Sequence, residues 1–178
     1  MSDQEPDLAE WLASRGAGGI PHPGGTLLAH LERVCARLAQ WEARPALRRA
    51  GFCHAFYGTD GFAVALGDPS RRDELAAMAG DEAERLVYLY ASCDRGFSYP
   101  YLAQPAGPFR DRFTGTVSGP TLAERRDFAE LTVANELDIG AGAALLHRFT
   151  SWRHLLSPGA WQSVQASQSD PAAGTPGR

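Results

Sequence analysis

The chain has 178 residues, 44% of them hydrophobic and 10% aromatic, which is enough to form the core of one domain of ordinary size. Its 17 basic and 21 acidic residues give a formal net charge of −4, which argues against nucleic acid as the main partner because phosphate binding needs a basic surface. No apolar run approaches the roughly 18 residues of a transmembrane helix, and the acidic beginning lacks the basic and apolar regions of a signal peptide. We therefore expect a cytoplasmic protein with no nucleic-acid or membrane partner.

The first part of the chain shows helical signals separated by glycine and proline. A short helix is predicted over residues 7–14, and a glycine-rich linker completes an N-terminal segment of residues 1–19. Two prolines and two glycines exclude regular structure over residues 20–25. Thr26 then suits the N-cap of a second helix, whose apolar residues recur every three or four positions up to Trp41.

Helical patterns also dominate the rest of the chain outside residues 96–120. Asp68 and Pro69 form a typical N-cap and N1 pair, and Thr121 with Glu124 forms a capping-box pattern. The helices predicted from these signals and from apolar periodicity cover residues 45–56, 69–78, 81–95, 121–138 and 141–156. The tail over residues 157–178 is rich in Ser, Gln, Pro, Ala and Gly, so we expect it to be disordered.

Residues 96–120 lack helical periodicity, and the segments 97–102 and 113–117 are candidate strands of a small hairpin. Such a long connection indicates a functional lid or an edge, and its aromatic part, residues 97–113, is a candidate interface of a homodimer. The sequence as a whole predicts an all-α fold. It is a helical bundle over residues 20–156 with a long irregular segment or small hairpin around residues 96–120.

Two histidines stand out on neighbouring predicted helices. His30 lies beside the apolar stripe of its helix, at the edge of the core face, and His54 lies near the end of the next helix. Two antiparallel helices joined by a short loop bring such positions together. Imidazole nitrogens bind zinc, iron and related metals well. The alternative is that each histidine is simply a hydrogen-bonded residue of the core or of a helix end.

The segments 25–34 (GTLLAHLERV) and 49–55 (RAGFCHA) resemble the first two blocks of the HD-domain superfamily. That superfamily is an all-helical fold of metal-dependent phosphohydrolases with some oxygenase members. Its pattern is a first His, a His-Asp pair on the following helix, and a distant Asp. His30 matches the first His and His54 the His of the pair, whereas Ala55 stands in place of the paired Asp and Asn135 in place of the distant one. The resemblance covers roughly residues 20–140 and is closer to an uncharacterised HD-like branch.

The resemblance implies a degenerate metal site, because both carboxylates of the pattern are missing. A hard cation would be held poorly by what remains, and a dinuclear site is not expected. A single transition metal (iron, zinc or manganese) bound by His30 and His54 stays open, with His22 as the candidate third ligand. Otherwise no metal is bound and the histidines act directly as acid and base. His22 is equally consistent with an exposed loop residue.

Other candidate site residues surround the histidines. Asn135 shares a helix face with apolar residues, so it is expected to point inward, where it either bonds to backbone or His54, or lines a pocket. Tyr57 and Thr59 follow His54 and could donate hydrogen bonds to a substrate. Asp60 could orient a histidine, or it could simply form a turn. Arg95 could bind an anion at the pocket rim, although most arginines at helix ends are merely solvated.

Cysteine is not expected to carry the chemistry. Cys35, Cys53 and Cys93 are far apart and form no CxxC pair, so we expect free buried thiols. Cys53 directly precedes His54, but neighbours on a helix point about 100° apart, which does not favour a Cys–His nucleophile.

The function these residues predict is that of a small-molecule enzyme with a degenerate HD-type pocket. His30, His54, Tyr57 and Asn135 would be its catalytic residues and Thr59, Asp60 and Arg95 its substrate-binding residues, acting on a small polar or anionic metabolite. The alternative is a non-catalytic HD-like module for ligand binding or protein interaction.

Overall fold

The computed structural model describes residues 7–169, and this part of the chain is mostly helical, which confirms the predicted fold class. Its α-helices are α1 (Leu8–Ser14), α2 (Leu27–Gln40), α3 (Pro45–Cys53), α4 (Arg72–Ala79), α5 (Asp81–Ser92), α6 (Arg95–Ser98), α7 (Leu122–Ile139), α8 (Ala143–Ser151) and α9 (Pro158–Ser169). Two small antiparallel sheets pair β1 (Pro21–His22) with β2 (Gly25–Thr26) and β3 (Phe109–Arg110) with β4 (Val117–Ser118). Within the described range, every helix is too short or too polar to cross a membrane.

Helices α2 and α3 pack closely against each other, and this contact sets the position of both histidines. The Thr26 hydroxyl caps α2, and the predicted apolar stripe of α2 is buried. Pro45 occupies the first turn of α3, where its missing N–H costs nothing. At the contact, a Cβ on Gly51 would lie only 2.4 Å from Cδ1 of Leu38, so any larger residue would force the Leu38 side chain to move.

Helix α7 runs through the middle of the fold and packs against α2, α3, α5 and α9. It begins with the predicted capping box of Thr121 and Glu124 and ends at Gly140, which has the positive φ of 84° that glycine tolerates. Every residue from Phe128 to Glu136 is buried, including polar ones. Polar side chains on this helix therefore need partners inside the protein.

The segment 96–120 contains a small hairpin, but the prediction of a strand over residues 97–102 is wrong. Those residues form the end of α6 and a 3₁₀ helix over Tyr99–Tyr101, because the Asp94 side chain accepts from the Phe97 amide and caps a helical turn. The hairpin instead pairs β3 with β4. The buried guanidinium of Arg125 on α7 donates to four backbone carbonyls of this segment and thereby fixes it.

Three further local predictions need correction. Residues 20–25, expected to be irregular, include β1 and the start of β2, with Gly24 and Gly25 at positive φ between them. Helix α4 starts at Arg72 rather than at Pro69, because Asp68 accepts from the Ser70 amide and forms a turn instead of a cap. The last predicted helix is divided into α8 and a 3₁₀ helix over Arg153–Leu155.

The expected disorder of the tail is wrong for residues 158–169, which form α9. Ala160 and Val164 lie one helical turn apart and are both fully buried, so the helix has an apolar side that packs on α7. The indole Nε1 of Trp41 also donates to the Ser163 hydroxyl at 3.0 Å. The rest of the predicted tail, residues 170–178, lies outside the described residues.

Candidate functional site

Two histidines and one asparagine meet between α2, α3 and α7. Nε2 of His30 lies 3.2 Å from Nε2 of His54 and 3.0 Å from Oδ1 of Asn135. The three residues are buried, with exposures of 0%, 2% and 7%. The structure thus brings together three residues that the sequence singled out, and we call this set the His–Asn centre.

Each member of the centre is oriented by a hydrogen bond on its outer side. Nδ1 of His54 donates to the Gly51 carbonyl at 2.7 Å. Nδ1 of His30 donates to the Asp138 carboxylate at 2.7 Å. The amide Nδ2 of Asn135 donates to the carboxylate of the next residue on α7, at 3.1 Å. Because a carbonyl and two carboxylates only accept, both rings and the amide must donate outward; His54 and Asn135 then turn an acceptor toward the centre, and His30 does so when its Nε2 carries no proton.

The two outer carboxylates are held in ion pairs. Arg33 donates through Nε and Nη2 to both oxygens of Asp138, each at 2.8 Å. Burial alone would raise the pKa of Asp138, but the hydrogen bonds from Arg33 and His30 outweigh it and lower that pKa below its usual value. Arg95 pairs with Glu136, with Nη1 at 3.1 Å from Oε1. Both carboxylates are therefore available only as acceptors.

His54 is held in its neutral form. Burial, and after it the neighbouring His30 ring, lower the pKa of His54 from 6.5 to about 3. Since its Nδ1 hydrogen is used by the Gly51 carbonyl, its Nε2 carries a lone pair that points at His30. A neutral His30 with its hydrogen on Nδ1 has a lone pair on Nε2 as well.

With His30 neutral, three acceptor atoms face one another inside the protein, and this arrangement is unfavourable unless a cation lies among them. A proton on Nε2 of His30 would satisfy it, and so would a metal ion. Two ligand atoms of one transition metal lie about 3.0 to 3.4 Å apart when each bond is about 2.1 Å long. The measured separations of 3.2 Å and 3.0 Å fit this requirement, so the donor set is compatible with a single ion.

His22 does not take the place expected of a third ligand. Its ring stacks on that of His30, with centroids 4.1 Å apart and planes inclined by 27°. Because an imidazole binds a metal in the plane of its ring, two stacked rings do not direct nitrogens at one point. Among residues 7–169, no three His, Cys, Asp or Glu side chains form a group that could hold a metal. The amide oxygen of Asn135, rather than a nitrogen of His22, is the third polar atom that lies beside the two Nε2 atoms.

A small pocket opens beside the centre, with a volume of about 110 Å³. Its walls combine polar and apolar side chains: His22, His54, Ala55, Thr59, Gly61, Phe62, Arg95, Asn135, Glu136 and Ile139. Thr59 and Arg95, predicted to bind substrate, both line it. The HD pattern has an aspartate at the position of Ala55. In this chain a methyl group therefore lines the pocket where that pattern would place a carboxylate.

Tyr57 and Asp60 lie away from the expected contacts. The Tyr57 hydroxyl donates to the buried Glu84 carboxylate at 3.0 Å, on the side of the chain that faces α5, and Tyr57 is not among the pocket residues. Its predicted catalytic role is not supported by this position. Asp60 accepts from the backbone amide of Arg95 at 2.8 Å and does not orient a histidine. Asp138 performs that role.

Sequence reasoning missed three residues that hold the centre in place. Asp138, Arg33 and Glu136 received no role in the prediction of the site from the sequence. A signal was present, because Arg33 follows His30 by three positions and Asp138 follows Asn135 by three, so each lies one helical turn from a candidate ligand. Such spacing identifies candidates for outer hydrogen bonds to metal-binding side chains.

The three cysteines are free, as predicted; Cys53 and Cys93 are also buried as predicted, whereas Cys35 is only half-buried. Burial raises the pKa of Cys53 and of Cys93 to about 12, so neither is a ready nucleophile.

Comparison with known families gives one match. Over residues 11–95 the chain is similar to a family described as a domain of unknown function (DUF6817). This segment includes His22, His30, His54 and Thr59 and ends at Arg95, before the α7 residues that complete the centre. Comparisons with curated proteins and with solved structures give no match.

Proposed function

We propose that the chain is an HD-like small-molecule enzyme that uses one metal ion at the His–Asn centre. The observation that carries the proposal is the convergence of three acceptors, His30 Nε2, His54 Nε2 and Asn135 Oδ1, each turned inward by a donor bond on its outer side. The residues that match the HD pattern are the same three. Their meeting between α2, α3 and α7 supports a relation to that superfamily.

The donor set favours a borderline transition metal such as zinc, iron or manganese over magnesium. Two imidazoles and an amide oxygen are neutral ligands, and the absence of a carboxylate weakens the hold on a hard cation. Ala55, in place of an acid, supplies no ligand for a second ion. When bound, a single ion would supply Lewis-acid activation of a polar group of the substrate.

The chain's own residues then position and shield the reaction. The Gly51 carbonyl and Asp138 fix the ring orientations of His54 and His30, and Arg33 fixes Asp138 in turn. The stacked ring of His22 covers one face of His30 and separates it from solvent. The pocket of about 110 Å³ gives access to His54 and Asn135, and its size implies that the reacting part of the substrate is small.

Metal analysis of the purified full chain tests the proposal. After supplementation with zinc, iron or manganese, we expect one ion per chain in the wild type and loss of the ion in a His30→Ala, His54→Ala double variant. His147→Ala is the matched control, because His147 is an exposed histidine of α8 outside the pocket. Failure of the wild type to retain any of these metals would overturn the proposal.

A second candidate function is a non-catalytic ligand-binding module, favoured by the loss of both carboxylates at Ala55 and Asn135. The two candidates differ in turnover. Metal-loaded protein assayed against small phosphate esters and organic acids should show a reaction that disappears with the double variant. Retained binding of such compounds without any turnover would favour the module instead.

A further inference from the structure

The pocket beside the His–Asn centre contains donors that the described residues leave available. The guanidinium of Arg95 has five N–H groups, and its hydrogen bonds are to Glu136 Oε1 at 3.1 Å and to the Tyr90 hydroxyl at 3.3 Å. The Thr59 hydroxyl lines the pocket and makes no side-chain hydrogen bond to any residue between 7 and 169. Nδ1 of His22 is buried and has no hydrogen-bond partner within the same range. These groups can form hydrogen bonds to a polar ligand in the pocket.

The charges around the pocket favour an anionic ligand. Asp138 is neutralised by Arg33, and Glu136 by Arg95. Asp60 is turned away and accepts from the backbone amide at the start of α6. Among the described residues, the charges near the centre are thus already paired, so a cation held by its neutral ligands would be left without a balancing charge. An anionic group bound here would meet that ion on one side and the N–H groups of Arg95 that Glu136 leaves free on the other.

Size and the position of Glu136 favour a carboxylate over a larger or more highly charged group. A cavity of about 150 Å³ accommodates benzene, so the pocket of about 110 Å³ has room for about four or five heavy atoms. A phosphate group alone would fill it. Because the Glu136 carboxylate already contacts Arg95, it would repel a phosphate dianion about twice as strongly as a monoanion. The side chains of Phe62 and Ile139 supply an apolar wall for a short carbon chain.

We propose that the pocket binds the carboxylate of a short organic acid, with Arg95 and Thr59 as the residues that hold it. The planar guanidinium matches the two oxygens of a carboxylate, and the Thr59 hydroxyl can donate to one of them. This inference rests on the proposed function, because it places the acid beside the ion of the His–Asn centre. It assigns the substrate class, and Arg95 becomes the residue that determines specificity.

A chemical-shift titration of the full chain with acetate tests the inference, with neutral acetamide and inorganic phosphate as competing probes. We expect acetate to bind more tightly than either. Arg95→Lys keeps the charge that pairs with Glu136 but loses the planar fork, and should weaken acetate binding about tenfold. Thr59→Val keeps the shape of the side chain and should weaken it about threefold. Arg110→Lys, on β3 outside the pocket, is the matched control and should leave the affinity unchanged.

Each of three results would overturn the inference. Acetamide could bind as tightly as acetate, phosphate could bind more tightly than acetate, or both pocket variants could retain the wild-type affinity for acetate. Titrations of metal-loaded and chelator-treated protein separate it from the proposed function. Acetate binding that depends on Arg95 in protein unable to retain a metal would remove the metal proposal and leave the carboxylate site standing. Stoichiometric metal without acetate binding would remove the carboxylate site alone.

Discussion

Two of the polar networks in the described part of the protein differ in one respect. In the first, the Glu84 carboxylate on α5 accepts from the Tyr57 hydroxyl and from two nitrogens of Arg72, at 3.0, 2.7 and 2.6 Å. Every bond there joins a donor to an acceptor. In the second, the His–Asn centre, the outer bonds are equally well made, but the inner atoms are three acceptors that face one another.

This difference separates a structural network from a candidate site. The closed network of Tyr57, Arg72 and Glu84 needs nothing further, so its role is to hold α3, α4 and α5 together. The His–Asn centre is complete only with a cation inside it. Natural proteins keep such locally unfavourable arrangements mainly where a ligand or a reaction needs them.

The largest effect is expected from opening the closed network. Glu84→Met replaces the carboxylate by an apolar side chain of similar length and leaves the buried Tyr57 hydroxyl and the Arg72 guanidinium without their acceptor. We expect the free energy of unfolding to fall by about 2 to 3 kcal/mol, measured by urea denaturation, with metal content unchanged. Glu82→Met, two residues earlier on the same helix, breaks an exposed ion pair with Arg44 and should cost less than about 1 kcal/mol.

Equal losses in these two variants would show that the buried carboxylate is no better integrated than the exposed one. Loss of metal in Glu84→Met at full folding would show that the two networks are coupled. Either result would remove the distinction between them.

The helices could be predicted because their signals are local. The apolar spacing of α2, the Thr121 capping box of α7 and the positions of Pro45 and Gly140 depend only on neighbouring residues. The errors lie where tertiary contacts determine the local structure. Helix α9 is ordered because Ala160 and Val164 find an apolar surface on α7, and a reading based on composition does not anticipate that surface.

The residues of the candidate site likewise fall into two groups: those that local sequence signals indicate and those that only tertiary contacts determine. His30, His54 and Asn135 could be found because helical periodicity and the resemblance to the HD pattern both indicate these positions. The partner across a helix contact could not be found by the same means. Tyr57 turns away from the pocket because Glu84 lies on α5, and His30 is oriented by an acid on α7, far along the chain.

The pH dependence of stability should distinguish the centre from the rest of the core. His54 has a pKa of about 3 in the folded protein and about 6.5 when unfolded, so only the unfolded chain takes up a proton between these values. Its contribution to stability is therefore complete above about pH 6.5 and is lost as the pH falls toward 3, by about 1.4 kcal/mol per pH unit. Urea denaturation of chelator-treated protein at pH 7, 6 and 5 measures this slope.

His54→Gln should flatten that slope, whereas His147→Gln should retain it, because His147 is exposed on α8. A slope that is the same in all three proteins would show that His54 is already protonated in the folded state. The centre would then contain a proton donor, and the argument that three acceptors converge would fail.

The smallest effect on stability is expected from Asn135→Leu, and this makes it the sharpest contrast with Glu84→Met. The substitution roughly conserves volume and removes one of three mutually repelling acceptors. It also removes the hydrogen bond that the side-chain amide donates to Glu136. We expect the metal-free protein to change by less than about 1 kcal/mol, because relief of the repulsion offsets the lost hydrogen bond. Metal content should nevertheless fall well below one ion per chain. Asn135→Asp should do the opposite, since a carboxylate strengthens the donor set but lies beside Glu136 and destabilises the metal-free protein. If Asn135→Leu instead costs as much stability as Glu84→Met and leaves the metal in place, the amide is a structural residue like Glu84, and the two networks are of one kind.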